Sequence, residues 1–168
     1  MWRSPAPSTR VFVIASLSVA LMTSTPNEAQ SPALEPAKLI ATCIEDAEKA
    51  SRDPYATCFG KISDPCLETP EGLSTHGQGE CIDKERAVWD DFLNREYRAL
   101  LAAVPEAAKP RLREAQRAWV RYRDLDCITP YHFFEGGTMA QPMVRQCHAR
   151  ETARRAMHFR SWRKTLEP

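Results

Sequence analysis

Between residues 81 and 104, CIDKERAVWDDFLNREYRALLAAV places Glu85, Trp89, Leu93, Tyr97, Leu100 and Val104 at steps of three and four, with no Gly or Pro before Pro105. The spacing predicts a long amphipathic helix. After the turn PEAAKP, the stretch RLREAQRAWVRYRDLDC sets Leu112, Ala115, Trp119, Tyr122 and Cys127 along one face, which predicts a second helix folded back antiparallel on the first. In that hairpin Trp119 stands about level with Leu93. The segment ITPYHFFEGGTMAQP breaks the period, and Gly136 and Gly137 are expected to supply positive φ in a tight turn. A last helix, starting near Thr138 or Gln141 with Pro142 in its first turn, carries Val144, Cys147, Thr152, Ala156, Phe159, Trp162 and Leu166 on a less regular apolar side, opposite a basic one. Upstream, Leu39 to Ala50 predicts a short helix, preceded by an extended lead-in from Gln30 to Lys38 and closed by Asp53-Pro54. ISDPCLETPEGLSTHGQGEC, with Pro65, Pro70, Gly72, Gly77 and Gly79, is expected to be a loop. The fold class is therefore all-α.

The first residues change the picture. Arg3 and Arg10 precede the apolar run Val11 to Met22, too short to span a bilayer but suited to a secretory signal, with Ala29 the best small residue for cleavage. The first cysteine is Cys43, so none stands near the apolar run to accept a lipid. The chain then divides into a signal peptide, 1–29, a cysteine-containing extension, 30–65, and a helical domain, 66–168. In an exported chain an even number of cysteines points to disulfides rather than zinc, and no C-x-x-C pair is present. Cys43 and Cys58 have the same spacing as Cys66 and Cys81, which favours two local loops, with Cys127 paired to Cys147. The framework is a disulfide-stapled helical bundle of about 139 residues, within the range of one domain.

Charge is segregated along the chain. Gln30 to Glu96 holds 14 acidic and 7 basic residues, a net of −7, whereas Tyr97 to Pro168 holds 7 acidic and 14 basic, a net of +7. Either the halves attract one another in the fold, or they present opposite faces to different partners. Arg145, Arg150, Arg154, Arg155, Arg160, Arg163 and Lys164 give the last helix its basic side. Export argues against nucleic acid as the partner, and in their place anionic envelope polymers or lipid headgroups are candidates.

For chemistry, Asp90 and Asn94 share a stripe beside Trp89, while Gln116, Arg123 and Asp124 sit beside Trp119 on the next helix. If the stripes met, Asp90 or Asp124 would be a general acid or base with Arg123 as an anion clamp, or the group would form an interhelical hydrogen-bond layer fixing register. The second reading is the stronger, because no catalytic triad order, nucleophile elbow, phosphate loop or His-x-x-x-His pair accompanies these residues. His76, His132, His148 and His158 are scattered and lack a third ligand, so no metal or cofactor is expected.

The elements WDDFLNREYRALL and LREAQRAWVRYRDLDC, a GG-T turn, and a cysteine followed by T-x-x-R in the last helix together resemble the LprI N-terminal domain family, a group of small exported bacterial helical domains. The likeness spans roughly Cys66 to Leu166. It carries Trp89, Asp90, Leu93, Asn94, Tyr97, Gln116, Trp119, Arg123, Asp124, Gly136 and Gly137 as motif residues of structural character. Cys43 and Cys58 resemble an N-terminal extension of some members. The resemblance implies a non-enzymatic envelope protein that binds and inhibits a lysozyme. Against a usually basic enzyme with an acidic cleft, the acidic segment from Asp64 to Glu96 is the better docking candidate and a projecting arginine the better plug. The alternative is a binding module for anionic polymers or lipids that uses the basic last helix.

Overall fold

The computed structural model describes residues 35–167, and the expected signal sequence lies outside them. Helix α1, Pro36–Lys49, starts at Pro36 rather than Leu39, so the lead-in is shorter than the pattern suggested. Proline suits a first helical position, where its missing N–H has no intrahelical partner to lose. The helix closes with Ser51 at φ 51°, its N–H donating to the Glu48 carbonyl and that of Arg52 to the Ala47 carbonyl. Asp53 then caps α2, Pro54–Cys58, by accepting from the Tyr55 N–H at 2.8 Å.

The expected loop is largely helical. It forms α3, Ser63–Leu67, a 3-10 turn, Pro70–Leu73, and the first turns of α4, Thr75–Ala103. Ser74 caps α4 by accepting from the Gly77 N–H at 3.0 Å. Gly77 is in a helix for a packing reason, since any side chain there would collide with the Glu71 carbonyl oxygen. Gly77, read as a breaker, is what lets the 3-10 turn lie against α4, while Gly79 leaves room for the Arg145 side chain of α7.

A 3-10 turn, Glu106–Ala108, leads into α5, Lys109–Cys127, followed by the short α6, Pro130–Phe133, and by α7, Ala140–Leu166. The main packing is α4 on α7. Bonds from Arg145 to Glu80 near their starts and from Arg160 to Glu96 near their ends have almost equal residue separations, 65 and 64, so the two helices run parallel. The alanines Ala149, Ala153 and Ala156, all buried, let α7 approach α4 closely beneath Trp89, Phe92 and Leu93.

Helix α5 returns the chain antiparallel, as expected, but leans on α7 more than on α4. Its contacts with α7 step from Gln116–Arg155 through Arg123–Thr152 to the Cys127–Cys147 bridge. Only Leu112 and Cys127 on it are buried. Ala115 and Tyr122, placed on the inner face by the periodicity, are exposed. The core instead recruits Ile40, Ile44 and Cys58 from the first two helices, which pack with Trp89, Leu93, Leu100 and Phe159.

Three disulfides staple this arrangement. Cys43–Cys58 joins α1 to α2, Cys66–Cys81 joins α3 to α4, and Cys127–Cys147 joins α5 to α7. At the turn between α6 and α7, Gly136 takes φ 76°, while the other left-handed residue is Glu135 at φ 48° rather than Gly137. Among the described residues no helix is long and apolar enough to cross a membrane.

Candidate functional site: polar layers and an exposed apex

The buried polar groups are mostly spent on the fold. Glu85, 1% exposed, accepts from the backbone N–H groups of Gly60 at 2.6 Å and Ser63 at 2.8 Å, from the Ser63 hydroxyl at 2.7 Å and from the Trp89 indole at 3.0 Å. Gly60, at φ 93°, exposes its N–H to this carboxylate in a conformation that side chains resist. A carboxylate so saturated with donors anchors the α2–α3 turn and has no lone pair to offer a substrate.

At the far end of α4 and α7, Glu96 accepts from Arg160 at 3.2 Å and Arg163 at 2.9 Å. Arg160 also grips Glu48 of α1 through two bonds of 2.8 and 2.9 Å, and Lys164 lies 2.6 Å from the same carboxylate. The Arg160 guanidinium, with Lys164, holds Glu48 well below the usual carboxylate range, at about 2, against the opposing effect of burial. At the near end, Arg145 pairs with Glu80 and Asp83. Glu48, Glu80, Asp83 and Glu96 of the first half thus meet Arg145, Arg160, Arg163 and Lys164 of the second, so part of the segregated charge is answered inside the molecule.

The motif residues separate into two groups. Asp90 accepts from Asn94 at 3.0 Å on its own helix, and Asn94 is exposed. It does not meet the α5 group. Gln116 accepts from Arg155 at 3.0 Å, and Arg123 donates to Thr152 at 3.3 Å and to the neighbouring Asp124 at 2.9 Å. Trp119 lies between two guanidinium groups, that of Arg123 at 5.0 Å and that of Arg155 at 5.5 Å from its ring. The layer therefore fixes α5 on α7, not α4 on α5. His148 stands 3.8 Å from Asp124, and burial, followed by the Arg123 charge, pushes its imidazole below the usual value. Trp89 and Leu93 are core residues and Tyr97 stacks on Phe159 at 5.3 Å.

Sequence reasoning put Glu85 on the helical stripe, Glu96 in the acidic segment and Arg155 on the basic side, but did not find the hydrogen-bond partners that the fold gives them. A signal existed for the first, because a tryptophan buried on a helical stripe needs a partner for its N–H and Glu85 precedes Trp89 by one turn. The sulfurs of Cys127 and Cys147 lie close to Asp126 in a metal-like grouping, but both are committed to the disulfide.

Leu73, Trp162 and Leu166 are exposed elsewhere, and a further group of exposed apolar side chains stands at the α5–α6 end. Leu125 is 69% and Phe133 73% exposed, with Ile128, Phe134 and Met139 also open to solvent. Nearby, an open groove of about 500 Å³ between the starts of α4 and α7 is lined by Leu67, Ile82, Met139, Pro142, Met143 and Arg150. Arg113, Arg117 and Arg121 lie on exposed positions of α5 spaced four apart, and no ion pair ties them to a carboxylate among the described residues.

Comparison with known proteins agrees with this picture. The profile of the lysozyme inhibitor LprI family matches residues 66–158, from Cys66 of α3 through most of α7. An uncharacterized protein of Rhizobium meliloti (strain 1021) is 29% identical over 100 residues, covering 52% of this chain and 72% of that protein. No solved structure matches the chain. With more than half of its length, including two of its three disulfides, inside the match, the chain belongs to the lysozyme inhibitor LprI family.

Proposed function

We propose that this is an exported protein that acts by binding a lysozyme rather than by catalysis. The single observation that carries the reading is the family match across the stapled helical core, 66–158. Export is supported by the three disulfides, which persist in oxidising compartments, and by the apolar N-terminal run. A binding role is supported by the state of the polar residues, since those of the motif are hydrogen-bonded within the chain while apolar and cationic side chains stand open. The alternative based on the basic last helix is weakened by the ion pairs that occupy Arg145, Arg160, Arg163 and Lys164. Their charge is answered within the molecule before an anionic polymer arrives.

The test is the turnover of several lysozyme classes on cell-wall substrate, titrated with the oxidised chain from residue 30 onward. Dose-dependent loss of activity is expected with at least one class. Undiminished turnover with every class removes the reading.

A further inference from the structure

The outer face of α5 changes character along its length. Arg117 and Arg121 are followed, at the same helical spacing, by Leu125, with Ile128 one turn beyond. The chain then presents Phe133 and Phe134 from α6. The result is a cationic stripe that runs into an apolar apex, with the arginines free of carboxylate partners among the described residues. Two devices hold the apex in place: the Cys127–Cys147 bridge below it, and a turn in which the Gly136 N–H donates to the Tyr131 carbonyl at 3.0 Å. A loop fixed before contact loses less freedom on binding than a mobile one. Its aromatic and arginine content is that of interface centres, although Asp124, Asp126 and Glu135 are exposed on the same segment.

We propose that this apex, centred on Arg117, Arg121, Leu125 and Phe133, is the surface that enters the substrate cleft of the bound lysozyme. The inference rests on the lysozyme-binding reading above and names the surface that performs it. The occupant follows from charge and shape. A glycoside hydrolase of this kind keeps a pair of carboxyl groups flanking the bond it cleaves, in a groove with apolar walls made to hold sugar rings. Guanidinium groups complement carboxylates through paired hydrogen bonds, and Leu125 and Phe133 complement the apolar walls. Glu68, Glu71 and Asp91, all exposed, offer the opposite charge.

The experiment measures inhibition constants on a lysozyme that the unaltered oxidised protein inhibits. Arg117→Glu with Arg121→Glu, and separately Leu125→Asp with Phe133→Asp, should each raise the constant by about tenfold or more, whereas Glu68→Lys with Glu71→Lys should leave it within about threefold. All six positions are solvent-facing or partly so, and circular dichroism and urea midpoints report whether each variant is folded. A chitooligosaccharide that fills the cleft should compete with the protein. Unchanged inhibition by both folded apex variants, or binding indifferent to the saccharide, overturns the assignment while leaving the lysozyme reading intact. Absence of inhibition by the unaltered protein overturns both.

Discussion

Glu85 shows how one side chain decides a local fold. Its carboxylate gathers two backbone N–H groups at under 3 Å, a hydroxyl and an indole, all from residues that would otherwise be buried without acceptors. Glu85→Gln keeps the size but turns an NH2 toward donors, and should lower the unfolding free energy by roughly 2–3 kcal/mol, read from urea denaturation. A loss under about 0.5 kcal/mol would show that water serves the turn equally well. Glu48 gives the complementary pH effect. Its value falls from the ordinary 4.5 to about 2 on folding, so its ion pairs with Arg160 and Lys164 stabilise fully above 4.5 and are lost as pH falls through 2. The stability difference between the unaltered protein and Glu48→Gln should be constant above about pH 5.5 and shrink toward pH 2. A gap independent of pH would assign the effect to packing instead.

At the scale of elements, the three- and four-residue rhythm locates the helices because burial of one face is what makes each of them stable. Trp89, Leu93 and Leu100 lie inside where the rhythm puts them. The rhythm does not say which helix a face meets, and here the tight connection suggested α4 on α5, while the small residues of α7 allow a closer fit on α4. Tyr122 was misplaced for that reason. The start of α4 was hidden by Gly77 and Gly79, whose meaning as close-approach positions needs the neighbouring turn, for Gly77, and the Arg145 side chain of α7, for Gly79, to be known. The polar layer was legible in its members, Gln116, Trp119 and Arg123, but not in its partners, which lie on α7. Two predictions belong here. Ala153→Leu should overpack the α4–α7 seam and cost about 1–3 kcal/mol, read as a lowered urea midpoint; an unchanged midpoint would mean the seam has room to spare. Cys127→Ser with Cys147→Ser should cost roughly 3 kcal/mol and leave helical content intact, so a spectrum that loses its helical signal at low denaturant contradicts a purely stapling role.

For the whole molecule, the opposite charges of the two halves are a device of assembly. Glu48, Glu80, Asp83 and Glu96 meet Arg145, Arg160, Arg163 and Lys164, which draws α1 and α4 onto α7. Among the groups this pairing leaves over are Arg113, Arg117 and Arg121 of α5 and the apolar apex beyond them, the surface proposed above to meet a lysozyme. Calorimetric titration of a lysozyme with the oxidised chain from residue 30 onward tests the account most directly. A saturable isotherm with one site per enzyme, weakened by added salt and abolished when the disulfides are reduced, is the expected result. The absence of measurable binding to any lysozyme class, with the protein shown to be folded, would contradict it.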